Sequence, residues 1–180
     1  MKKKFTYLTV LFMIGFLTTS CLQTDTTKKT EVTENDVSQK EILEFKDFGK
    51  EPFVFNIEDY TRQNDTYRTA LWTGEYMQLT VMSIQPGEDI GLEIHMDHDQ
   101  FIRVEEGEGI VMMGDSEDDL SFQEKVEDDF AVMIPAGKWH NVINDSDKPL
   151  KLYSIYAPKE HEHETVHQTK EEAMADEHDH

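Results

Sequence analysis

The sequence predicts an all-β domain, a sandwich or small barrel, set between an N-terminal secretory segment with a tether and a polar C-terminal tail. Three observations predict it. Between residues 52 and 158, short runs rich in Val, Ile, Tyr and Phe recur about every ten residues, with turn formers between them. No stretch of that region carries a convincing helical period. Composition changes abruptly on either side, to an apolar leader and a polar tether before the region and to acids and histidines after it.

Residues 1–21 come first. Lys2, Lys3 and Lys4 precede an apolar run from Phe5 to Leu17, and Thr18, Thr19, Ser20 and Cys21 follow it. The run is 13 residues long, short of the roughly 20 that span a bilayer, and a positive start with small residues at the end reads as a secretory signal. Cys21 is the only cysteine, so no intramolecular disulfide can form. The stretch ending at Cys21 resembles a bacterial lipobox, in which the cysteine is lipidated and becomes the mature N-terminus. Thr18 stands where a Leu is usual, with Leu17 one place earlier. The resemblance implies a lipid anchor on Cys21 and a place in the cell envelope. Residues 22–45 are Thr, Lys, Glu and Asp with almost no apolar residue before Ile42, a solvated tether with room for a short helix over 39–45.

The domain, residues 46–158, supplies the candidate strands: FVFNI (53–57), YRTALW (67–72), YMQLTVMSI (76–84), GLEIH (91–95), FIRVEEG (101–107), GIVMM (109–113), FAVMIP (130–135), WHNVIN (139–144) and LKLYSIY (150–156). The turns between them are QPGED, EGEG, GDSEDD, PAG and NDSDKP. Residues 159–180 form an acidic tail with five of the eight histidines, expected to be mobile. Thr169 ahead of Lys170, Glu171 and Glu172 is placed to cap a short helix. His161, His163 and His167 lie near enough to the last strand to pack over the mouth of a barrel, whereas His178 and His180 read as incidental to a solvated end.

Net charge of -21 argues against a nucleic-acid partner, because phosphate repels such a chain unless a local basic patch exists. No Ser-His-Asp set, phosphate-binding loop or CxxC pair is present. The stretch with the densest chemistry is GLEIHMDHDQF (91–101). On a strand, Glu93 and His95 point to one face and Leu92 and Ile94 to the other. His98 falls at odd spacing from His95, within the bend MDHD, and strand alternation separates the two histidines. Gln100 then shares a face with Ile102 and Val104. Some 40 residues on, IPAGKWHNVIN (134–144) makes a tight turn at Pro135 and Gly137 and sets His140 on a strand with Val142 and Asn144. An inward histidine is costly without a partner. Asp97 and Asp99 read as turn formers, Arg103 as a partner for surface acids, and Trp72, Met82 and Trp139 as packing residues.

These two stretches resemble the paired motifs of the cupins. The second motif fits as Pro135-x-Gly137-x2-His140-x3-Asn144, with Asp129 in place of its leading Gly. The first fits in spacing back from Gly107, with Glu93 where a His is usual and Gln100 where a Glu is usual. From about 52 to 158 the chain is similar to a group of small bacterial cupins labelled mannose-6-phosphate-isomerase-like for their fold. The resemblance implies a jelly-roll β-barrel, often a homodimer, with a metal held inside by Glu93, His95, Gln100 and His140. Two imidazoles and a carboxylate with open positions suit a divalent ion such as Fe, Mn or Zn, with the Gln100 carbonyl as a weaker fourth donor. The alternative is a metal-free barrel in which the same four residues form a polar network around a small molecule. Two functions follow: a metal-dependent enzyme of oxygenase or isomerase type acting on a small molecule in the cell envelope, or a non-catalytic module that binds or senses a small molecule or the metal itself.

Overall fold

A computed structural model describes residues 42–177 of the chain. The secretory segment with Cys21, most of the tether, and His178 to His180 lie outside the described residues. The described chain is an all-β jelly roll of nine strands with a short helix at each end. One sheet is six-stranded, β6-β3-β8-β2-β1-β9, and a second is three-stranded, β5-β4-β7. The strands are β1 (Arg68–Thr73), β2 (Gln78–Ile84), β3 (Asp99–Glu106), β4 (Glu108–Gly114), β5 (Phe122–Glu127), β6 (Ala131–Ile134), β7 (Trp139–Ile143), β8 (Leu150–Ala157) and β9 (Val166–His167). Among the described residues no helix is long and apolar enough to cross a membrane.

The inward faces follow the alternation in the sequence. Gln100, Ile102 and Val104 of β3 are buried, as are Val132 and Ile134 of β6 and His140 and Val142 of β7. The apolar ones, Ile102, Val104, Val132, Ile134 and Val142, join Met82, Ile84, Leu150 and Leu152 in one core. Each such side chain, taken out of water, stabilises the fold by about 1.5–3 kcal/mol. Strand β2 is buried along its whole length, because both of its faces are covered. Its outer side meets a second cluster, in which Tyr60, Leu71, Leu79, Val81 and Tyr153 pack against Phe45, Phe48, Phe53 and Phe55.

That outer layer corrects the expected strand over 53–57. Phe53 and Phe55 do alternate toward one side, but they lie on the sheet as an unpaired extended segment, their rings stacked 4.5 Å apart. A helix the periodicity did not reveal, α1 (Ile57–Gln63), follows; Asn56 caps it by accepting from the Glu58 N–H at 3.2 Å. Only seven residues long, it is too short to show a period. No helix forms over 42–45, and the rest of the expected 39–45 helix is outside the described residues. Strand β5 escaped notice because five of its six residues are exposed, so no apolar alternation marks it.

The segment after 158 also departs from expectation. It folds back, pairs β9 with β1 through Thr69↔Val166 and Arg68↔His167, and ends in α2 (Lys170–Glu177). That helix starts where Thr169 predicted it, with the Thr169 hydroxyl accepting from the Glu172 N–H. Two buried polar side chains hold the segment down. Gln78 donates to the His161 carbonyl at 2.9 Å and accepts from the His161 N–H at 2.8 Å. Asp47 accepts from the N–H groups of Thr73 and Glu164.

Candidate metal centre

The centre is built by a single pair of backbone bonds. Glu93 and His140 exchange N–H···O bonds of 3.0 and 2.9 Å, an isolated antiparallel bridge that sets two chemically active side chains side by side. Residues 91–98 otherwise form no strand. Gly91, at φ 95°, turns the chain into the bridge, a conformation other residues adopt only with strain. The PAG turn is locked to the same stretch: the Gly137 N–H donates to the His95 carbonyl at 2.7 Å. Gln100 enters from β3 and His140 from β7, so the two sheets both contribute.

Glu93, His95 and His140 each bring a donor atom within 4.8 Å of the other two. His140 is fully buried. Its Nδ1 lies 2.9 Å from the Lys138 carbonyl, which can only accept, so Nδ1 carries the ring proton. Nε2 then faces Gln100 Oε1 at 2.9 Å and Glu93 Oε1 at 3.2 Å. Gln100 is turned that way because its amide N–H donates to Ser154 Oγ at 2.8 Å. His95 Nε2 is buried without a hydrogen bond, 3.4 Å from Glu93 Oε1. Ligand atoms of four side chains thus converge on one spot, which suits a cation. The donor set fits a divalent metal: two imidazoles, one carboxylate and one amide oxygen, with His140 and Gln100 pinned from their other side.

The electrostatics agree. Burial pushes the Glu93 carboxyl up, but the His140 and His95 rings beside it and the nearby Arg68 charge outweigh it and hold it well below the usual carboxylate range. Burial opposes a charge on His95, yet Glu93 and then Glu160 raise it above the ordinary imidazole value. Burial drives His161 down to about 3, so that ring is neutral, and lifts the Tyr156 hydroxyl to about 12.

Above the centre opens a cavity of about 410 Å³, lined by Glu93 and His95 on one side and by Arg68, Glu160, His161 and His167 on the other. His161 and His167, expected near the mouth, are there; His163 instead lies half-exposed, 3.7 Å from Asp47. Arg68 and Glu160 were missed. Arg68 sat among apolar residues in YRTALW and gave no sign of facing a cavity, and Glu160 looked like one more acid of a solvated tail.

The separation of His95 from His98 is corrected. Alternation holds only on a strand, and the chain bends at the exposed Met96 and Asp97. His98 is therefore buried, its ring stacked on that of His95 with centroids 4.3 Å apart. Other expectations fit: Asp99 accepts from the Ala136 N–H at the turn, Asp129 takes a positive φ of 71°, and Arg103 pairs with the exposed Asp129, though it also pairs with Glu105, which is buried. Met82 packs in the core and Trp72 against the outer cluster.

Comparison with known proteins fits this architecture. The Cupin domain family model matches residues 80–156. An uncharacterized protein of Bacillus subtilis, YrkC, is 60% identical over 133 residues, which span 74% of this chain and 72% of that protein. An uncharacterized protein of Acanthamoeba polyphaga mimivirus, L612, is 41% identical over 61% of this chain and 67% of its own length. A crystal structure from Bacillus halodurans is 63% identical and superposes with a TM-score of 0.72, covering 72% of this chain and 98% of that one.

Proposed function

The chain belongs to the cupin superfamily, and from that premise we propose that it is a metal-binding protein of the cell envelope that takes a small polar molecule into the cavity above its metal. Glu93, His95, Gln100 and His140 hold a divalent ion, Fe, Mn or Zn, inside the barrel. The observation that carries this is the convergence of His140 Nε2, Gln100 Oε1 and Glu93 Oε1 within 3.2 Å contacts, beside a buried His95 Nε2 that has no hydrogen bond. An ion there supplies Lewis-acid or redox chemistry to a molecule bound next to it, of the oxygenase or isomerase type. The chain's own residues do the rest. Lys138 and Ser154 orient His140 and Gln100. Arg68, 1% exposed, contributes a buried positive charge to the cavity wall, suited to an anionic group on the small molecule. The neutral His161 offers a proton donor or acceptor. Cys21 carries the lipid that fixes the protein to a membrane.

The test is the metal content of the full chain, purified without a histidine tag. Wild type should retain a divalent metal through purification in metal-free buffer, and His140→Ala and Glu93→Ala should lose that tightly held ion. If both variants keep the full content, the ion lies elsewhere, and the tail histidines become its holders. For the anchor, Cys21→Ala should abolish incorporation of a fatty-acid analogue; undiminished labelling would rule the lipid out.

A further inference from the structure

His95 has two ring nitrogens, and they face different groups. Nε2 points to Glu93 and the buried centre at 3.4 Å, while Nδ1 lies 3.7 Å from Glu160 Oε1. The other oxygen of Glu160 lies 3.2 Å from His98 Nε2. His98, 6% exposed, has its Nδ1 tied to Asp97 Oδ1 at 3.0 Å, which puts the ring proton on Nδ1. Its Nε2 is buried and, though close to Glu160, not aligned with it as a hydrogen bond. A lone pair on His98, a ring nitrogen of His95 and a carboxylate thus face one another, and their donor atoms lie within 4.8 Å of each other. This second group stands at the cavity wall: Glu160, a third exposed, lines the cavity, whereas His140 of the first group is wholly buried.

We propose that His98, Glu160 and His95 Nδ1 form a second, outer position for a divalent cation. Two imidazole nitrogens and a carboxylate with positions open to the cavity suit Zn²⁺ and its neighbours. His95 keeps its ring proton by giving one lone pair at a time, so the outer and buried positions compete for it. The outer one is where an ion entering from the cavity is first held. That role, though not the binding itself, rests on the buried centre proposed above.

The experiment is equilibrium dialysis of the full chain against Zn²⁺, in a background carrying His178→Ala and His180→Ala so that the chain end contributes nothing. His140→Ala removes the buried position and should still bind one equivalent, about tenfold or more weakly. Adding His98→Ala should abolish that equivalent. Glu160→Ala, which leaves the buried rings in place, should do the same in the His140→Ala chain. No binding by His140→Ala would overturn the outer position while leaving the buried one standing. Binding that survives in both double variants would overturn it too. Unchanged affinity in His140→Ala, lost in His98→Ala, would support the outer position and sink the buried centre instead.

Discussion

Ser154 shows how the centre is tuned one residue at a time. Its hydroxyl is not a donor to the ion; it accepts the Gln100 amide N–H and so aims the amide oxygen inward. Ser154→Ala should weaken divalent-ion binding about 10- to 100-fold, measured by competition with a chelator, without loss of fold. Glu93 gives a pH signature in the metal-free protein. Its folded value lies below the unfolded 4.5, so its contribution to stability is present above pH 4.5 and is lost as pH falls. His95 is raised above 6.5, so its contribution is full below pH 6.5 and is lost as pH rises through its folded value. The pair therefore contributes most between pH 4.5 and 6.5. Unfolding by denaturant should find the gap between wild type and Glu93→Gln widest in that window and narrowing below it. At this scale the sequence was legible in part. The resemblance to the two cupin motifs, counted back from Gly107 and along the Pro-x-Gly-x2-His run, picked out four residues that the fold brings together. His98 was misplaced because alternation was extended through a bend, and Arg68 and Glu160 carried no local mark.

Among the elements, the strands with one buried face were readable and those without were not. β3, β6 and β7 alternate buried with less buried residues. β5 is charged and β9 has two residues, so neither could be seen. The C-terminal segment was read as a tail because its composition is that of a solvated chain. Ala173 is buried in the core, but most of what seats the segment is directed bonding: the pairing of β9 with β1 and the bonds to Gln78 and Asp47. Burial pushes the Asp47 carboxyl up, yet bonds from Thr73, Gly49 and Glu164 outweigh it and leave it below the ordinary value. Asp47→Ala strands those donors and should destabilise the fold by about 1–3 kcal/mol, read by denaturant unfolding. Gln78→Ala removes both bonds to the His161 backbone, and limited proteolysis should then cut near 159–167 faster than in wild type. Equal cutting rates would mean the segment is seated by other contacts.

For the molecule as a whole, two cores share the work. The inner one lies among strands of both sheets, and the outer aromatic layer covers the far face of the six-stranded sheet. The recurrence of short strands and turns was enough to predict an all-β fold, because a strand needs only a few residues of pattern to be recognised. The order of strands in the sheets follows from long-range pairing such as β3 with β8, which no local run encodes. A bound ion favours only the folded chain, so it should raise the unfolding free energy by about 2.7 kcal/mol at a hundredfold excess over its dissociation constant. A thermal melt with and without chelator should show that loss, and Glu93→Ala should show a much smaller difference between the two.

The central claim, one divalent ion on four named side chains, is met most directly by anomalous diffraction from crystals grown with Zn²⁺ or Mn²⁺. A peak is expected within about 2.0–2.3 Å of Glu93, His95 and His140 donor atoms, with Gln100 Oε1 facing it. A peak only at the tail histidines, or none among these four residues, would contradict it.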